Sequence, residues 1–369
     1  MKIVIFGQAL SSSQGNGRGI SWRGLCRALA ARNHLVVFFE RDADRASRRD
    51  RHEWPGGRLH PYADWQQMRL LADRELRDAT AGIITSCCPD AVAAETLLLD
   101  SGAALRVFYD LDTPVTLERA SRGDALPYIG PSGLRNYDLV LSGSGGASLD
   151  RLQDWFGARD VLPLYGSVDP LAHQPADPAD EFRADLSYIG TCPDDRQDAV
   201  ERLFLEPARR LPHRRFVLAG SEDPAGASWS ANVFHKHHVP PERHPAVYCS
   251  SRLTLNVTRR TMEHVGYCPS RGLFEAAACG AAILSDGWVG LERFFEPGRE
   301  ILVASSTDDA VAALERSDAE LRRMAARGRR RALAEHTSEH RAIELECILQ
   351  ARNPEQVLRR VRIGAAGLG

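Results

Sequence analysis

Two successive series of short apolar runs, alternating with loops and with stretches of helical period, restrict this chain to a parallel α/β architecture. In the first series KIVIF (2–6), LVVFFE (35–40), AGIIT (81–85), LRVFYD (105–110) and YDLVLSG (137–143) read as strands, and WRGLCRALAARN supplies the helix of the opening βαβ unit. LSYIG (186–190), RFVLAG (215–220), LTLNVT (253–258), AAILSD (281–286) and EILVAS (300–305) repeat the plan, with helices expected near 195–211 and 270–279. Between the series, LYGSVDPLAHQPADPAD (164–180) loses hydrophobicity and carries three prolines and repeated aspartates, the composition of a linker. The expected fold is therefore two Rossmann-like, doubly wound domains, 1–165 and 181–335, joined by a linker at 166–180 and followed by a helical C-terminal segment, 336–369. A ligand is expected in a cleft where the carboxyl ends of the two sheets face each other.

Composition narrows the function classes. The 369 residues carry 47 basic and 49 acidic side chains, a formal charge of −2, so no global field recruits nucleic acid or anionic lipid. Lys2 and Lys236 are the only lysines, which makes arginine the expected partner of any anion. The eight cysteines lack a C-x-x-C pair and read as reduced core thiols. Met1 leads straight into a strand, and no apolar stretch approaches the roughly 20 residues of a membrane helix. A cytoplasmic protein without an integral membrane segment, monomeric or homodimeric, is the expectation.

The stretch PSRGLFEAAACGAAILSDG (269–287) points to chemistry. Ser270 is a good N-cap, and Gly280 is placed to end the helix in the left-handed conformation. First-turn amides and Arg271 together favour an anion there. Glu275 shares the helical face of Arg271, and a carboxylate beside a phosphate site suits the vicinal hydroxyls of a ribose. A plain intrahelical Arg271–Glu275 salt bridge explains the same spacing. Beyond the next strand, Gly287, Gly290 and Leu291 offer backbone to a second phosphate.

From Asn256 onward, NVTRRTMEHVGYCPSRGLFEAAACGAAILSDGWVGLERFFEPGREILVA resembles the C-terminal domain of GT-B glycosyltransferases, especially those related to the spore maturation protein CgeB. GNGRGISWRGLCRALAARNH, FFERD (38–42), YDLDTPVTL (109–117) and LYGSVDP (164–170) carry the resemblance into the first half. It implies a GT-B fold with the final helix crossing back to the N-terminal domain. It also implies transfer of a hexose from a nucleotide diphosphate sugar to a small-molecule, glycan or lipid acceptor, without a required metal or other cofactor. Glu275 then matches the residue that holds the nucleotide ribose, while Arg196, Arg259 and Arg271 replace the usual Arg and Lys pair on the diphosphate. Asn256 and Ser270 fall within the same donor-binding stretch. Tyr267 stands where retaining members commonly carry a glutamate, which leaves the stereochemical course open. YIGTCPDDR (188–196), with Gly190 and Arg196, is similar to the loop beneath the donor phosphates, and Gly220 lies at the next strand end. NVFHKHHVPPERHPAVY (232–248), with His238 and Val239, resembles the segment whose backbone reads the base.

In the first half, SSSQGNGRG (11–19) fails the G-x-G-x-x-G spacing of a dinucleotide fingerprint. Gly15, Asn16 and Gly17 with Trp22 are read instead as an acceptor site, the indole packing on a sugar face. Asp110 and Asp112, at the end of LRVFYD, are the candidate catalytic carboxylates, one able to take the acceptor proton or to orient the sugar. His235, His237 and His238 suit a loop better than a strand edge and are not assigned a metal. HTSEH (336–340) fits an inverted zinc-protease pattern but is read as the start of the final helix. A nucleotide-sugar epimerase, a nicotinamide oxidoreductase (Glu40 and Asp42 closing the second strand) and a non-catalytic nucleotide-binding protein are the competing readings.

Overall fold

The computed structural model describes residues 1–8, 10, 17–41, 57–190, 196–220, 229–237 and 239–353. Gly15, Asn16, Asp42 and His238 lie outside the described residues, as does the loop 191–195. The chain forms two compact units. One holds the first sheet together with the C-terminal helix, and the other, Gly166–Thr337, holds the second sheet.

The first unit runs β1 (Lys2–Gly7), α1 (Gly17–Ala31), β2 (Leu35–Arg41), β3 (Gly57–Tyr62), α2 (Trp65–Leu76), β4 (Ala81–Thr85), α3 (Ala91–Leu99), β5 (Arg106–Asp110), α4 (Thr113–Ser121), β6 (Leu139–Ser142), α5 (Ala147–Phe156) and β7 (Val161–Pro163). Its strands pair in parallel in the order β3-β2-β1-β4-β5-β6-β7, a doubly wound sheet. Because alternate side chains leave opposite faces, Val4 and Phe6 join one core with Val37, Phe39, Phe108 and Val140. Ile3 and Ile5 join the other with Val36, Phe38, Val107 and Leu141. Both faces are apolar and both are covered, which is why the central strands read as unbroken hydrophobic runs.

The second unit runs β8 (Ala184–Ile189), α6 (Gln197–Val200), a π-helical turn (Glu201–Leu205), α7 (Glu206–Arg210), β9 (Phe216–Gly220), β10 (Val233–His237), α8 (His244–Cys249), β11 (Ser251–Asn256), α9 (Arg260–Val265), α10 (Arg271–Ala278), β12 (Ile283–Ser285), β13 (Leu302–Val303), α11 (Thr307–Glu315) and α12 (Asp318–Glu335). Its parallel order, β10-β9-β8-β11-β12-β13, repeats the winding of the first sheet. The last helix, α13 (Ser338–Arg352), belongs to the first unit, where Ala342, Leu345 and Leu349 join the Ile3/Ile5 core.

Three features depart from the sequence reading. Val233–His237 is an edge strand, not a loop; β3 and β7 are edges of the first sheet that the apolar-run criterion passes over. The segment read as a linker is partly built into the second unit: Ser167, Val168, Asp169 and His173 are buried, and the Val168 amide donates to the His336 carbonyl at 3.0 Å. Trp22 is no acceptor platform. Its indole is 5% exposed and packs edge-on against Phe38 and Tyr109, with ring centroids 5.5 and 6.1 Å away, and Gly17 is already the first residue of α1. Trp22→Ala should therefore lower unfolding stability by about 3–5 kcal/mol in urea titration, the cost of emptying a large aromatic site. Unchanged stability would return the indole to the surface.

Candidate donor site on the second sheet

In the second sheet the chain leaves β8 toward β9 on one side and returns at β11 on the other, so a crevice is expected above the carboxyl ends of β8 and β11. Gly190 follows β8 and Asn256 ends β11. Gly220 is required by packing: a Cβ there would lie 2.1 Å from the Gly190 carbonyl oxygen. Gly290 adopts φ +93°, and a Cβ would meet the Tyr267 ring at 2.5 Å. Tyr267 itself has φ +45°, and its amide donates to the Val289 carbonyl at 2.6 Å, so the two loops interlock.

Helix α10 is fixed above this edge by polar struts. Ser270 stands at the N-cap with extended backbone, yet its side chain makes no capping bond; the hydroxyl donates to Asn256 Oδ1. Asn256 Nδ2 donates to Ser285 Oγ at 3.1 Å, Ser285 Oγ donates to Asp286 Oδ1 at 3.3 Å, and the Thr258 amide and hydroxyl each donate to Asp286 at 2.9 Å. Burial pushes the Asp286 carboxyl up, against the pull of these Thr258 and Ser285 bonds. Asn256 and Ser270 therefore support the start of α10. The side chain that sequence assigns to capping holds the helix to the sheet instead, and the opening amides keep their affinity for an anion. At the other end Gly280 takes φ +78°, as its position implies, and Arg329 Nε donates to the Ala278 carbonyl at 3.0 Å.

Arg271 Nε donates to Glu275 Oε1 at 2.8 Å, so the helix carries the intrahelical pair. Glu275 is 5% exposed, and Ala276–Ala278 behind it are buried. Two further groups converge on the carboxylate. His173 Nε2 lies 3.8 Å from Glu275 Oε2, and ligand atoms of His173, His244 and Glu275 all fall within 4.8 Å of one another. Burial raises the Glu275 carboxyl, but Arg271, His173 and His244 outweigh it and hold the group below the ordinary value of 4.5. Burial keeps His244 below its ordinary value, opposed by Glu275, and its Nε2 lies 3.2 Å from the Val239 carbonyl oxygen. Two histidines and a glutamate are zinc-ligand types. Here a guanidinium already holds one carboxylate oxygen, and a dication would sit beside that charge; the residues fit an anion-balancing cluster better than a metal site. Sequence reasoning missed His173 and His244, whose only signals were single histidines in proline-bearing stretches.

The remaining candidates are placed as follows. Arg196 and Arg259 stand at the N-caps of α6 and α9, and the Arg196 Nε is buried without a hydrogen-bond partner among the described residues. Leu291 is corrected: its side chain is 3% exposed in the core and its amide donates to the Trp288 carbonyl at 3.2 Å, so neither serves a phosphate. His336 is not paired with His340 on one helix, because it ends α12 and stacks on Phe274 at 4.7 Å, its Nε2 being 3.2 Å from the Phe294 carbonyl.

In the first unit Asp110 is fully buried, not at an accessible rim. Its Oδ1 accepts the Asp112 amide at 3.3 Å, its Oδ2 is buried without a hydrogen-bond partner among the described residues, and burial pushes the carboxyl up to about 6. Asp110 is a support for the turn carrying Asp112, which is half-buried and makes no side-chain capping bond to α4. The same corner is tied by hydroxyls: Thr113 Oγ1 to Ser142 Oγ at 2.8 Å, Ser142 to Ser144 at 3.3 Å and Ser144 to Ser148 at 2.8 Å.

Residues 191–346 match the family model described as "Glycosyl transferase-like". That segment is similar to glycosyltransferase domains, and the chain has a GT-B fold. Among solved structures, sucrose-phosphate synthase from Thermosynechococcus elongatus is similar with a TM-score of 0.64 at 16% identity, over 98% of this chain and 99% of that one. An alpha-glucosyltransferase in complex with UDP and DNA gives 0.65 at 14%, over 95% and 99%. Anabaena HepE in complex with UDP and glucose gives 0.62 at 11%, over 95% and 100%. No curated protein matches the sequence. The family match favours the glycosyltransferase reading over the epimerase and the oxidoreductase. No helix among the described residues is long and apolar enough to cross a membrane.

The lowered Glu275 carboxyl carries a pH signature. Its stabilising contribution is complete above about 4.5 and is lost as pH falls through the lower folded value. Urea titrations of Glu275→Gln against wild type should show a shallower loss of stability below that pH; parallel acid limbs would mean that the carboxylate is not electrostatically held.

Proposed function

We propose that this glycosyltransferase moves a hexose from a nucleotide diphosphate sugar, with a UDP-sugar as donor, to a small-molecule, glycan or lipid acceptor. The observation that carries the reading is α10: an N-terminus without a side-chain cap, Arg271 on its first turn and the buried carboxylate of Glu275 one turn later. The opening amides and Arg271, with Arg196 and Arg259, carry the charge of the diphosphate, so the leaving group departs without a required metal. Glu275 accepts hydrogen bonds from the ribose hydroxyls. The UDP present in two of the similar structures supports uridine as the base. Gly190 and Gly220 keep the strand ends low enough for the phosphates, and the Val239 backbone lies by the base.

Asp112 is the carboxylate assigned to the acceptor proton in an inverting reaction, or to the sugar hydroxyls in a retaining one. The CgeB-like relationship and the cytoplasmic setting belong to the same reading.

Calorimetry with UDP is the direct test. Glu275→Ala should weaken UDP binding by about 10- to 100-fold, the worth of hydrogen bonds to a charged group. Unchanged affinity removes the ribose assignment. Asp112→Asn should retain UDP affinity while losing transfer by roughly 100-fold or more, measured as UDP release with the acceptor present. In a thermal-shift series, stabilisation by GDP- or TDP-sugars in preference to UDP-sugars would change the base.

A further inference from the structure

His173 sits in the stretch whose composition reads as a linker, yet it is one of the most enclosed polar side chains of the second unit, 2% exposed. Its backbone is held. The His173 and Ala172 amides donate to the Asp169 carbonyl at 2.9 and 3.0 Å, and the Leu171 amide donates to Asp169 Oδ1 at 3.0 Å. Neither ring nitrogen has a hydrogen-bond partner among the described residues. A buried imidazole without partners loses hydration for no return, so such a group calls for a physical reason.

The reason lies across the gap to Glu275. Oε1 of that carboxylate is held by Arg271, while Oε2 faces His173 Nε2 at 3.8 Å, too far for a hydrogen bond and close enough to become one after a shift of about 1 Å. If Arg271 is to meet a diphosphate, its guanidinium must leave or share Glu275. The carboxylate would then be buried with its strongest countercharge withdrawn.

We infer that His173 is a positioning residue for the donor: as Arg271 turns to the diphosphate, His173 Nε2–H closes onto Glu275 Oε2 and keeps the carboxylate aimed at the ribose. This rests on the donor reading above and deepens it. The groups that face the His173 ring are Glu275 on α10 and His244 on α8. His244 is less suited to the role because its Nε2 is already beside the Val239 carbonyl. The exchange moves no heavy-atom bond: one donor on the carboxylate is replaced by another. Arg271 gains the freedom to bind phosphate only because a second donor is waiting.

The experiment compares His173→Leu, which removes the donor, with His173→Gln, which retains an N–H near the place of Nε2, using the full chain. His173→Leu should raise the donor KM, and the Kd for UDP, by about tenfold while kcat stays within about twofold; His173→Gln should recover most of that loss. In the Glu275→Ala background, His173→Leu should cause no further loss. Should His173→Leu fail to fold, His173→Gln decides alone: near-wild-type UDP affinity supports the inference, and a loss as large as that of Glu275→Ala overturns it. Unchanged donor affinity in a folded His173→Leu protein, or a fall in kcat with KM unaltered, also overturns it. So does stoichiometric binding of zinc alone that His173→Gln abolishes, since the trio would then be a metal site. If Glu275→Ala itself leaves UDP affinity unchanged, the donor reading fails; if only the His173 variants are silent, the reading stands and the positioning role falls.

Discussion

Glu275 carries a negative charge into a nearly closed interior, and much of the second unit is arranged around the need to balance it. One turn earlier on the same helix, Arg271 supplies the first countercharge. The chain before β8 supplies His173 from one direction and α8 supplies His244 from another. Close helix-to-sheet packing is a condition for this convergence, and the buried alanines after Glu275 allow it. A bulkier run would lift the helix and separate the carboxylate from groups whose attraction falls with distance.

At the carboxyl ends of both sheets, polar side chains that look outward in the sequence are turned to structural use. Asn256, Ser270, Ser285, Asp286 and Thr258 form a strut from β11 and β12 to the start of α10. Asp110, Thr113, Ser142 and Ser144 do the same at the corner between β5 and α4. The economy is physical: a strand end must satisfy its own backbone and side-chain groups before it can hold a loop at a fixed height, and buried hydroxyls bond in chains without adding charge. A charged side chain that is only half-buried follows one or two residues beyond the support, as Arg271 follows Ser270 and Asp112 follows Asp110.

The central strands were legible because a parallel sheet covered on both faces requires continuous apolar runs, as in KIVIF and LVVFFE. Edge strands are under no such demand. β3 contains Pro61 and His60, β10 contains Lys236 between two histidines, and both were passed over. The helix carrying Arg271 and Glu275 could be read because its spacing is local. His173 could not, since its partner is distant in sequence and its surroundings, rich in proline and aspartate, are those of solvated chain. Trp22 failed for a related reason: an aromatic after a glycine loop has the same sequence appearance whether it faces solvent or Phe38 and Tyr109. Direction of a side chain, unlike periodicity, is settled by tertiary packing.

The position of α13 bears on how the molecule is made. Ala342, Leu345 and Leu349 complete an apolar face whose other members, Ile3, Ile5, Val36 and Phe38, are synthesised before the whole of the second unit. All of Gly166–Thr337 is synthesised in between. Until α13 is made, that face of the first sheet lacks three of its apolar partners, so the burial of the first core is completed only after the second unit has been synthesised.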